Sequence, residues 1–152
     1  MDWKWMFFSF RGRLGAERFE RVLSNLIWVC FLPGTFSLLW RPDPPPDTFY
    51  MIIHLALLAC FLAAIWPVLA LAIKRLNDSE RSVLLAIPAA LALPLGEALV
   101  VAGDCGVIGP PPSYVAKGIA LLLLGVFALL EVKIAAFRGT TGPNRFGPEP
   151  ID

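Results

Sequence analysis

The chain has 152 residues, 57% hydrophobic and 16% charged, with a formal net charge of +1 and a mean hydropathy of +0.69. A soluble domain is nearer half apolar and a quarter charged, so a large soluble core does not account for this composition, and the near-neutral balance gives no electrostatic footprint for nucleic acid. Three cysteines and one histidine, without CxxC or Cys/His spacing, argue against zinc or haem, so neither a metal nor a cofactor is expected.

The apolar excess falls in long runs, which is the pattern of membrane spans. Met1 to Gly15 comes first, with Trp3, Trp5, Phe7, Phe8 and Phe10 among Lys4, Arg11 and Arg13. Rings with basic neighbours suit the headgroup layer. The apolar run begins too late and lacks a small-residue cleavage site, so a signal peptide is not expected. Gly15 is an acceptable N-cap and Glu17 suits the first turn of the helix that follows.

Val22 to Trp40 is a run of 19 uncharged residues, about 28 Å as a helix and enough to span a bilayer. Pro33-Gly34 is expected to kink it. Arg41 to Asp47, rich in proline, cannot continue the helix. Met51 to Ile73 is the second expected span, bent at Pro67 and carrying His54. A charged turn follows, with Lys74, Arg75, Asp78, Glu80 and Arg81, and Asp78 or Ser79 is the expected cap of the next helix. Val83 to Ala102 is the third expected span, with Pro88, Pro94 and a buried acid, Glu97. A Gly/Pro-rich loop leads to the fourth, Tyr114 to Ala136, and Gly139 opens an irregular tail.

Of the thirteen Lys and Arg residues, eleven fall in the N-terminal segment, the middle turn and the C-terminal end. Only Arg41 and Lys117 fall elsewhere. By the positive-inside rule both termini and the middle turn are expected in the cytoplasm.

Three stretches on that side stand out: Phe8-Ser-Phe-Arg-Gly-Arg13, the run from Pro67 through Lys74-Arg-Leu-Asn-Asp78, and Arg138-Gly-Thr-Thr-Gly-Pro-Asn-Arg-Phe-Gly-Pro-Glu-Pro150. Together, in order and over nearly the whole chain, they resemble the bacterial inner-membrane family known as domain of unknown function 805, the YhaH-like proteins. The tail motif is the most specific part. The family's middle motif is usually Arg-Arg-Leu-His-Asp followed by Gly-x-Ser-Gly-Trp. Here Asn77 stands for the histidine, and Glu80-Arg81-Ser82-Val83-Leu84 for the rest. Ala16 and Glu20 replace a usual Arg and Trp, so the resemblance is to a divergent member. It implies a membrane location and topology, and no activity.

Two groups of residues are candidates for function. Arg13, Arg75, Asn77, Asp78, Asn144 and Arg145 are expected to form a polar cluster at the cytoplasmic interface. The tail's backbone groups need partners near the bilayer, and guanidinium and carboxylate groups supply them. His54, Glu97 and Lys117 lie about 5–8 Å inside the opposite boundary at 1.5 Å per residue. Glu97 and Lys117 are expected to pair, with His54 nearby, because unpaired charges inside a membrane are costly. The small residues Ala56, Ala59, Ala63, Ala64 and Ala90 are expected to let helices approach closely.

The fold expected is all-α: an integral membrane four-helix transmembrane bundle, one domain over residues 1–152. Its spans are 22–40, 51–73, 83–102 and 114–136, and its N-terminal segment and C-terminal tail are cytoplasmic. The function expected is non-enzymatic binding of a lipid headgroup or partner through the cytoplasmic cluster. A small transporter or channel subunit with a polar outer-leaflet site is the alternative. Membrane lipids are the expected partners, with an unidentified membrane or cytoplasmic protein and self-association also compatible, and nucleic acid is not. No Ser/His/Asp set, paired carboxylates or nucleotide loop is present to support catalysis.

Overall fold

A computed structural model describes residues 3–25, 48–104 and 113–150. The remainder of the first expected span with Pro33-Gly34 and Cys30, the loop at 41–47, and the second loop with Cys105 lie outside the described residues. Among those described, every regular element is helical, and the only strand-like pairing is an isolated bridge between Asn144 and Gly147.

A short helix α1, Trp3–Phe8, precedes a turn at Gly12. Helix α2 occupies 16–25, beginning directly after Gly15, whose carbonyl accepts the Phe19 N–H at 3.0 Å. Helix α3 is Thr48–Asp78, and a 3-10 turn at Val83–Leu85 leads into α4, Ala86–Asp104. Helix α5 is Ser113–Ala136. Three stretches are long and apolar enough to cross a membrane: Thr48–Asp78, Val83–Asp104 and Val115–Ala136. Leu62, Leu122, Leu129 and Val132 are exposed along them, as side chains in contact with lipid would be.

The charged turn differs from the expectation. Helix α3 continues through Lys74, Arg75, Asn77 and Asp78, and all four side chains are buried. Leucine, lysine and arginine are good helix formers, and the polar groups find partners on other segments. The reversal comes later. Glu80 takes a left-handed conformation at φ 53°, and the Arg81 N–H returns to the Leu76 carbonyl at 2.9 Å. That is the geometry in which helices commonly end, with glycine the favoured residue at the left-handed position. The cap of the next element is Ser82, whose hydroxyl accepts the Leu84 N–H, rather than Asp78 or Ser79. Ser79 instead donates back to the carbonyls of Arg75 and Leu76.

Helix α4 packs against both α3 and α5. Its buried face is small: Ala86, Ala89, Ala90, Ala92 and Gly96. A side chain at Gly96 would come within 3.5 Å of the Ala120 backbone. The close-packing face thus lies on α4 and α5, whereas Ala56, Ala59 and Ala63 of α3 point outward. Pro88 falls in the first turn of α4, where its missing donor costs nothing.

The main apolar core sits at the charged end. Met6 of α1, Leu14, Phe19 and Leu23 of the α2 region, Leu71 and Leu76 of α3, Ala86 and Ala89 of α4, and Ile134 of α5 form one cluster. The N-terminal segment is therefore packed onto the helices as well as amphipathic in sequence.

Candidate functional site: a polar cluster at the charged end

Asp78, the last residue of α3, is the centre of the cluster. Its Oδ1 accepts from Arg13 Nε at 3.0 Å and Nη2 at 2.8 Å, and its Oδ2 accepts from Arg75 Nη1 at 2.5 Å. Asp78 and both arginines are at most 5% exposed. One buried carboxylate between two guanidiniums satisfies charge and hydrogen bonds together, and an unpaired buried ion would be strongly destabilising.

The remaining donors hold main chain. Arg13 Nη1 donates to the Gly142 carbonyl at 2.6 Å, and Nη2 to that of Thr140 at 2.6 Å. Arg75 Nη2 donates to the carbonyls of Ala135, at 3.1 Å, and Phe137. The last carbonyls of a helix have no partner within it, so Arg75 closes the end of α5 from the end of α3. The tail returns the arrangement. Thr140 N–H donates to the Asp78 carbonyl at 2.9 Å, and Asn144 Nδ2 to the Asn77 carbonyl at 3.1 Å. Asn144 Oδ1 also accepts the Phe146 N–H, shaping the turn that follows.

The N-terminal segment is tied down in the same way. Lys74 Nζ donates to the carbonyls of Trp5 and Met6, each at 2.6 Å, and lies 4.4 Å from the centre of the Trp5 ring. Asn77 Nδ2 donates to the Gly12 carbonyl at 3.3 Å. Gly12 itself has φ 98°, and a side chain there would strike the Trp5 ring.

Of the six cluster residues expected, Arg13, Arg75, Asn77, Asp78 and Asn144 share this network. Arg145 does not. It is exposed and lies over the Phe146 ring at 4.6 Å, because the Asn144–Gly147 turn points residue 145 away from Asp78. Three participants lay outside the expected cluster: Lys74, Thr140 and Gly139. Gly139 faces the Asp78 carboxylate so closely that no Cβ fits there. A Gly at the tail's start reads as a helix stop, and nothing in its spacing shows what it faces.

At the opposite end the expected Glu97–Lys117 pair does not form. Glu97 Oε1 lies 2.7 Å from His54 Nδ1, and both side chains are buried. Lys117 Nζ instead reaches the Tyr50 hydroxyl at 3.4 Å, and that hydroxyl donates to Asp104 Oδ2 at 3.1 Å. The Tyr50 ring packs against that of His54 with centroids 4.3 Å apart and planes tilted by 50°. Placing α4 between α3 and α5 decides the choice, since Glu97 faces α3. Elsewhere, neither carboxylate oxygen of buried Glu131 has a hydrogen-bond partner. Among the described residues no three His, Cys, Asp or Glu side chains converge as metal ligands would.

Three bilayer-length apolar helices with a buried ion cluster at one end define an integral membrane protein of all-helical class. Over residues 7–148 the chain matches the family described as "Protein of unknown function (DUF805)", and it belongs to that family. It is 27% identical over 150 residues to "Uncharacterized protein YiiR" of Escherichia coli K12, covering 98% of this chain and 90% of that protein. The YiiR protein of Escherichia coli O157:H7 is similar to the same extent. No solved structure matches the chain.

Proposed function

We propose that this is a four-span protein of the bacterial inner membrane, a single transmembrane domain with both termini in the cytoplasm. It acts without catalysis, by binding membrane lipid headgroups or a protein partner on its charged end. The observation that carries this reading is the shared Asp78. Two buried arginines, one from the first motif and one from the middle motif, are held on a single carboxylate. The end of the bundle thus keeps an excess of positive charge in a fixed geometry where anionic headgroups lie. Catalysis is disfavoured because the buried Asp78 is held in two ion pairs, and the chain's one histidine lies at the other end.

The test is lipid retention by the purified protein in native mass spectrometry. Exchange into mixed phosphatidylglycerol and phosphatidylcholine should leave phosphatidylglycerol bound in preference. Equal retention of the two would remove the headgroup reading. A reporter fused to Asp152 should be active only in the cytoplasm, and activity outside would overturn the topology. The buried His54–Glu97 pair favours a second reading, a transporter subunit with a polar site at the outer end. Proteoliposomes that pass no proton or cation current would exclude it.

A further inference from the structure

Beside the Asp78 cluster lies an open cavity of about 460 Å³, formed between the start of α2, the ends of α3 and α5, and the tail. Resting on the reading of the charged end as a binding surface, we infer that this cavity binds a phosphate group, recognised by Arg75, Arg138 and the first turn of α2.

Three observations converge on it. Gly15 and Ala16 line the cavity, and they are the cap and first residue of α2. The first amides of a helix have no partner within it and carry the positive end of its dipole, which suits a phosphate. Arg75 lines the same cavity at 2% exposure. Its Nη atoms hold Asp78 and the end of α5, but its Nε has no hydrogen-bond partner. A buried guanidinium with an unused donor is incomplete until something accepts from it. Arg138 is the third element. It lines the cavity, is exposed, and takes no part in the Asp78 network.

Two acids also line the space. Asp78 is neutralised by its two arginines. Glu149 stands exposed, its Oε2 accepting the Gly142 N–H at 2.9 Å. Arg13 on the far oxygen of Asp78 leaves cation in excess. The cavity opens at the ends of membrane-length helices, the level of lipid phosphates, so a phospholipid headgroup or a free phosphate supplies the same chemistry.

The experiment uses the full chain in phosphatidylcholine nanodiscs. One arm adds phosphatidic acid and measures retention by native mass spectrometry. The other titrates inorganic phosphate and reads binding by calorimetry. The variants are Arg138→Ala and Ala16→Asp, with Arg145→Ala as a control of equal charge change outside the cavity. Neither cavity variant removes a cluster hydrogen bond, and an acid in the first turn favours the helix itself. Each should weaken binding about fivefold, the worth of one charge near the surface, while Arg145→Ala leaves it unchanged and Glu149→Gln strengthens it. Loss in the lipid arm identifies a headgroup, and loss in the phosphate arm a soluble ligand. Equal weakening by Arg138→Ala and Arg145→Ala overturns the cavity and leaves the broader surface reading standing. Wild type that prefers neither phosphatidic acid nor phosphate overturns the cavity as well, and phosphatidylglycerol retention then judges the broader reading.

Discussion

The two polar ends of this bundle solve one problem in different ways. At the end away from Asp78, charges are met side chain to side chain: His54 with Glu97, Lys117 with Tyr50, Tyr50 with Asp104. At the charged end, the Asp78 ion pairs are joined by many contacts from side chain to backbone. Arg13, Arg75 and Lys74 between them hold carbonyls of Trp5, Met6, Ala135, Phe137, Thr140 and Gly142. Pairwise contacts between helices fix how helices face each other. Contacts to backbone fix segments that have no helix of their own. The second kind is needed where irregular chain lies against a bilayer that cannot satisfy it.

The sharpest break is Asp78→Ala. It leaves Arg13 and Arg75 buried without a counter-charge, at a cost of about 3–5 kcal/mol. Thermal unfolding in detergent should fall markedly, and the tail should become sensitive to protease while α4 and α5 remain protected. Gly139→Ala should cost about 1–3 kcal/mol, because the new methyl meets the same carboxylate. Glu80→Gly should act in the opposite sense and stabilise by about 1 kcal/mol, since it relieves a left-handed residue that carries a side chain. At the opposite end, Glu97→Gln should cost about 0.6 kcal/mol, the usual worth of a polar contact within a membrane. Arg145→Ala, outside both groups, should change stability by less than about 0.5 kcal/mol. A ranking in which Glu97→Gln exceeds Asp78→Ala would reverse the comparison between the two ends.

Much of this was legible because hydrocarbon leaves few options. Uninterrupted apolar runs located α3, α4 and α5 within a few residues, and the tail's density of Gly and Pro excluded a helix. The motif spacing also named five residues that share one network. What pattern left open was adjacency. Whether Glu97 meets His54 or Lys117 depends on which neighbour α4 turns it toward, and all three lie at similar depth. The extension of α3 through Asp78 was hidden because a charged run reads as solvated. Its burial depends on carbonyls some 60 residues away in sequence, which no local window contains. Arg145 misled for the reverse reason: it sits inside the most specific motif, yet a two-residue turn directs it outward.

The closing of the Asp78 cluster also sets an order of events in synthesis. Arg13 and Asp78 are made before Thr140, Gly142 and Asn144, which follow Asp78 by about 60 residues. Until that segment emerges, the Arg13 donors that face the tail have no carbonyls to hold. A chain cut short before Thr140 would therefore keep its helices and lack the segment that closes the Asp78 cluster.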